Sequence, residues 1–138
     1  GITSALFALS GKKVTSIEIS PSAVRDAKRI GALNDLSADI SYIRGDAAKI
    51  LTKIGNAEKS IFFVDPPRNG LGEKTALMIT GYAPREIVYL SCNPQTLKED
   101  IKTIIENGYK IVSATPYDLF PETKHVETLV RFSAKQAK

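Results

Sequence analysis

The chain has one cysteine, and the residues around it suit chemistry. Ile87-Val88-Tyr89-Leu90 is an apolar, β-branched run that leads into Ser91-Cys92-Asn93-Pro94. Asn is a good helix N-cap, and Pro suits the first helical position because no N–H is needed there. Cys92 is therefore expected at the carboxyl end of a strand, beside the positive end of a helix. A helix N-terminus favours thiolate over thiol, and open α/β sheets bind their ligands at that edge. The plain alternative is a small buried core residue, since free Cys is among the most buried residue types.

Three carboxylates share the same kind of position. Glu18, Asp46 and Asp65 each lie where an apolar run stops. Carboxyl ends of neighbouring parallel strands converge on one crevice, so the three acids are expected to line a pocket. Glu18 suits a bidentate grip on two ribose hydroxyls, and Asp46 suits an adenine amino group. Taken singly, such acids are also common turn formers and caps. Three together favour a cofactor that contains a nucleoside. Asp65 opens Asp65-Pro66-Pro67-Arg68, where two prolines fix φ and remove two donors. That stiff turn holds a carboxylate and nearby carbonyls in place for the N–H groups of a flat heterocycle. A simple proline-stiffened loop is the competing reading.

Alternating strands and helices must position these groups. Ile2 to Leu9 reads as a helix stopped at Ser10-Gly11. Lys13 to Ile19 reads as a strand, and Ser20-Pro21 starts a helix with Val24, Ala27, Ile30 and Leu33 at helical spacing. Asp39 to Ile43 is the next strand, Ala47 to Ile54 a helix, and Asn56 to Lys59 a polar link. Ser60 to Val64 is a buried strand and Glu73 to Thr80 a short helix. After the Ile87 strand, a helix runs from Pro94 to about Asn107. Tyr109 to Pro116 and Glu127 to Phe132 form a final antiparallel pair. The alternation predicts a parallel sheet of the α/β class. One domain is expected over 1–134, with a frayed tail at 135–138. Such a fold opens with a central strand and a Gly-rich turn. The chain instead starts in the first helix, so that strand is expected upstream of Gly1.

Composition narrows the classes. The 138 residues, 43% hydrophobic and 25% charged, suffice for one domain with a real core. A net charge of +4 permits a polyanionic partner. No apolar run approaches bilayer length, and no signal-peptide pattern opens the chain. One Cys excludes an internal disulfide, and with a single His it argues against structural zinc. A reducing cytoplasm is the expected setting. Lys12, Lys13 and Lys53 read as solvated surface, and Tyr117 and Phe120 as core more than as base-stacking groups.

Taken together, the chain resembles the uracil-C5 RNA methyltransferases, which use S-adenosylmethionine. The resemblance is carried by Glu18-Ile19, Gly45-Asp46-Ala47, Asp65-Pro66-Pro67-Arg68-Asn69-Gly70-Leu71 and Ser91-Cys92-Asn93-Pro94. Phe120-Pro121-Glu122-Thr123-Lys124-His125-Val126-Glu127-Thr128 completes it. It implies a Rossmann-like class I methyltransferase fold, RNA (ribosomal or transfer) as partner, and S-adenosylmethionine as cofactor. Family members are longer, with an amino-terminal RNA-binding part and an upstream Gln that helps hold the cofactor. Of their Asp-Leu-Tyr-Cys-Gly-type stretch only Gly1 is present, so weak or absent cofactor binding is expected of this chain alone.

The resemblance assigns Cys92 as nucleophile and Glu127 as base. Gly1, Glu18, Asp46 and Asp65 fall to the cofactor, and Asp65 and Arg68 to the substrate. His125, the only histidine, is expected to position the Glu127 loop. Two other readings compete. One is an amino-methyltransferase acting on a purine through Asp65-Pro66-Pro67, with Cys92 a spectator. The other is a catalytically silent nucleotide- or RNA-binding module. A nicotinamide-dependent dehydrogenase is disfavoured, because no intact Gly-x-Gly-x-x-Gly turn is present.

Overall fold

The computed structural model describes residues 1–51, 54–55, 57–123 and 126–135. Its contacts divide into two compact units, Gly1–Lys53 and Ile54–Lys138. In the first, α1 (Ile2–Leu9) is closed by Gly11 at φ 77°. The Gly11 N–H donates to the Ala8 carbonyl at 2.9 Å and the Lys12 N–H to the Phe7 carbonyl at 3.1 Å. That pair of bonds is a Schellman stop, which a left-handed residue makes possible. β1 (Val14–Glu18) follows, then α2 (Pro21–Leu33), whose N-cap Ser20 accepts the Ala23 N–H at 3.4 Å. β2 (Ile40–Arg44) lies parallel to β1, from Val14 opposite Ile40 to Glu18 opposite Arg44. Ala5, Ala8, Leu36 and Ile40 form the core, with Val14, Ile30 and Tyr42 packed against them.

α3 (Ala47–Ile50) is shorter than the helix expected to reach Ile54. Ile54 and Gly55 are not helical, and Thr52 and Lys53 lie outside the described residues. So short a segment gains few i→i−4 bonds for its nucleation cost. A 3₁₀ turn at Ala57–Lys59 stands in the expected polar link, of which Asn56 lies outside the described residues.

The second unit holds a four-stranded sheet. β3 (Ile61–Val64) is parallel to β4 (Glu86–Ser91), which is reached through α4 (Glu73–Tyr82). α5 (Pro94–Glu106) leads to β5 (Tyr109–Tyr117), and β6 (Glu127–Ala134) ends the sheet in sequence. The spatial order is β3-β4-β6-β5, so β6 enters between β4 and β5 and is antiparallel to both. Its central place explains its burial: Val130 and Phe132 are fully buried with Ile87, Tyr89 and Ile104. Of the expected 135–138 tail, Lys135 donates its N–H to the Gly108 carbonyl at 2.8 Å; residues 136–138 lie outside the described residues. Among the described residues, no helix is long and apolar enough to cross a membrane.

Candidate active site

Each unit presents part of the expected set. In the first, Glu18 and Asp46 leave the same, carboxyl end of the parallel β1–β2 pair. Glu18 is half-buried, and its Oε1 accepts the Ser20 N–H at 2.7 Å, so one oxygen braces the turn into α2. Asp46 is exposed and starts α3, its carbonyl accepting the Lys49 and Ile50 N–H groups at 3.0 and 3.1 Å. Gly1 lies against α2; a Cβ there would come within 2.6 Å of Ala27 Cα.

In the second unit, Asp65 follows β3 at an exposed position. The loop beyond it turns at Pro67–Gly70, where the Gly70 N–H donates to the Pro67 carbonyl at 2.8 Å. One face of α5 holds this loop. The Arg68 carbonyl accepts from Asn93 Nδ2 at 3.0 Å and from Thr96 Oγ1 at 3.1 Å. Asp100 accepts the N–H groups of Leu71 (2.8 Å) and Gly72 (3.1 Å) and the hydroxyl of Tyr89 (2.6 Å). Burial, and then the bond to Asp100, push the Tyr89 phenol far above its ordinary range, so it stays a proton donor.

The cap expected at Asn93 forms, with Oδ1 accepting the Gln95 N–H at 3.1 Å. Ser91 Oγ accepts the Asn93 N–H, also at 3.1 Å. Cys92 is thus the middle residue of a braced strand-to-helix turn, half-buried rather than in the core. Its distant partner arrives through strand register. Ser91 pairs with Thr128 at the last register position of β4–β6, and Cys92 and Glu127 are the residues next to that pair in the chain. Cys92, Glu127, Arg68 and Phe120 line one open pocket of about 130 Å³.

Three expected residues therefore meet: Cys92, Glu127 and Arg68. Asp65 is not among the residues lining that pocket, and Gly1, Glu18 and Asp46 belong to the other unit. His125 and Lys124 lie outside the described residues. The expectation that Tyr117 and Phe120 are core is corrected. They are 44% and 52% exposed: Tyr117 ends β5, the edge strand of its sheet, and Phe120 lies in the loop after it. Phe120 is held at the pocket by a turn in which the Thr123 N–H and hydroxyl both donate to its carbonyl, at 3.2 and 2.7 Å. Asp100 was not singled out from the sequence. Its signal was an acid inside the apolar stripe Leu97, Asp100, Ile104, at helical spacing.

Parallel strands crossed by helices, with a last strand returning antiparallel into the sheet, define a class I methyltransferase fold. Fibrillarin from Aeropyrum pernix, solved with natively bound S-adenosyl-L-methionine, shares this fold at a TM-score of 0.63 and 17% identity, over 86% of this chain and 55% of its own. The tRNA (uracil-54, C5)-methyltransferase of Pyrococcus abyssi, solved with S-adenosyl-L-homocysteine, reaches a TM-score of 0.74 and 28% identity. That match covers 91% of this chain and 30% of the other. An uncharacterized RNA methyltransferase of Protochlamydia amoebophila is 40% identical over 132 residues, 94% of this chain and 30% of its own length. The tRNA (uracil-5-)-methyltransferase family model matches residues 6–135, and the chain belongs to that family. It spans about three tenths of the length of the curated relatives it matches.

Proposed function

We propose that this chain carries the chemistry of an enzyme that methylates C5 of a uridine in transfer or ribosomal RNA, using S-adenosylmethionine. The observation that carries the reading is the meeting of Cys92 and Glu127 in one pocket, in a chain of this family.

C5 of uracil is a poor nucleophile. The Cys92 thiolate adds to C6, forming the S–C6 bond and moving the ring π electrons onto C5 and O4 as an enolate. When bound, S-adenosylmethionine would supply the electrophilic methyl group that C5 takes, the S–CH3 bond breaking with its electron pair returning to the sulfonium sulfur, which leaves as a neutral thioether. Glu127 then removes the C5 proton; the electron pair left behind re-forms the C5–C6 double bond as the S–C6 bond breaks, returning Cys92 as thiolate. Arg68 and Asp65 are assigned to the base, Asp65 orienting its edge and Arg68 bringing positive charge to the pocket as the enolate forms. Phe120 offers an aromatic face to a base that has left its stack. The donor chemistry of the first unit fits an adenosyl group: two acceptor-only carboxylates at one end of a parallel strand pair suit hydroxyl and amino donors. Gly1, Glu18 and Asp46 would hold it. A reducing cytoplasm keeps Cys92 as a thiol.

RNA carrying 5-fluorouridine tests the reading in the intact enzyme, since fluorine at C5 leaves Glu127 no proton to remove. Wild type with S-adenosylmethionine forms a denaturation-resistant protein–RNA adduct, and Cys92→Ala forms none. On ordinary RNA, Glu127→Gln accumulates the adduct. Methylation unaffected by Cys92→Ala overturns the proposal in favour of an amino-methyltransferase. No methyl transfer and no adduct in wild type favours a silent binding module.

A further inference from the structure

We propose that Asp100 is a positioning residue: its buried carboxylate pins the loop after Asp65-Pro66-Pro67 so that Arg68 is held in the pocket with Cys92 and Glu127. The functional part of this inference rests on the methyl-transfer reading above. Asp100 is 4% exposed. An acid in that place is costly unless donors surround it, and an apolar residue would fill the stripe between Leu97 and Ile104 at less cost. The carboxylate does what an apolar residue cannot. It takes two consecutive backbone N–H groups, Leu71 and Gly72, and the Tyr89 hydroxyl, all within 3.1 Å.

The neighbouring residues are shaped to this contact. Gly70 leaves room for it, since a Cβ there would come 2.7 Å from Asp100 Oδ2 and 3.2 Å from Thr96 Cβ. Asn93, Thr96 and Asp100, spaced three and four apart on one helical face, grip the loop at Arg68, Leu71 and Gly72. Among the described residues the Arg68 guanidinium makes no ion pair. Its place in the pocket is therefore set by its backbone, and the backbone is set by α5. That helix begins two residues after Cys92, so nucleophile and cation share one rigid mount.

The test has a structural and a functional arm. In this chain, Asp100→Asn keeps the size but cannot accept both N–H groups. Amide hydrogen exchange at Leu71 and Gly72 should quicken about tenfold or more, while amides of β4 and β6 keep their protection. Thr96→Ala, which leaves Asp100 in place, should quicken exchange of the same loop by a smaller factor and serves if Asp100→Asn does not fold. Unchanged exchange in both variants overturns the clamp, whatever the enzyme does. In the intact enzyme, Asp100→Asn should lower kcat about tenfold with KM for RNA nearly unchanged, and should have little further effect in an Arg68→Ala background. Equal losses in both backgrounds, or a change in KM alone, overturn the positioning role. If wild type lacks uridine methylation the functional reading fails, while the exchange arm still decides the clamp.

Discussion

Gly70→Ala places a methyl group where two constraints meet, and its cost can be worked from the geometry. Gly70 stands at φ 76°, in the left-handed region. An L side chain there costs about 1–2 kcal/mol. The added Cβ would stand 2.7 Å from Asp100 Oδ2, closer than a carboxylate oxygen tolerates, so the carboxylate or the loop must move. Either movement stretches the bonds from Leu71 and Gly72, and a hydrogen bond to a charged group is worth about 1.5–3 kcal/mol. Losing the equivalent of one brings the sum to about 2.5–5 kcal/mol. For a chain of this length each kcal/mol moves Tm by roughly 3–4 °C, so a fall of about 8–20 °C is expected. Gly108→Ala is the control within the same unit: φ is 94°, and a Cβ meets nothing within 4 Å. It should lose only the conformational part, about 1–2 kcal/mol. Calorimetry and urea unfolding of both variants supply the comparison. Equal losses for the two glycines would refute the argument that Asp100 is held in a fixed, close-fitting place.

Two further outcomes test the interior of each unit. Among the described residues, Tyr42 Oη is buried without a hydrogen-bond partner, and Gly31 is what admits it: a Cβ there would overlap that oxygen. Gly31→Ala should therefore cost about 1–3 kcal/mol. Tyr42→Phe should stabilise the chain slightly and rescue Gly31→Ala, as urea midpoints would reveal. Tyr109, buried and donating to the Pro84 carbonyl at 2.7 Å, has its phenol pushed up to about 12 by burial. Above pH 10 the unfolded chain gives up this proton before the folded one does. The stability Tyr109 contributes is thus complete below pH 10 and is lost as pH rises through about 12. Tyr109→Phe should flatten the fall of unfolding free energy between pH 10 and 12; an unchanged slope refutes the assignment.

The proposed chemistry depends on a pair that no local rule could join. Cys92 follows β4 and Glu127 begins β6, and between them lie a helix, a strand and a long loop. β6 enters next to β4 instead of adding beyond β5, because Val130 and Phe132 need cover on both sides. That placement brings a thiol and a carboxylate to the lining of one pocket.

Local signals were legible without coordinates. Ser20-Pro21 and Asn93-Pro94 announce helix starts because a side-chain oxygen accepting an orphan N–H, and a residue lacking one, are solutions contained within a few residues. Gly11 and Gly108 announce helix stops for a similar reason. Acids and a thiol where apolar runs end are equally local facts, and the family motifs follow chain order. Tertiary structure alone decided which of these meet: Arg68, Cys92, Phe120 and Glu127 in one pocket, with Asp65 outside its lining. It alone exposed Phe120 and Tyr117, whose apolar character had suggested core, and buried the carboxylate of Asp100. Burial depends on what another element covers, and that cover is set by sheet order and register between residues distant in the chain.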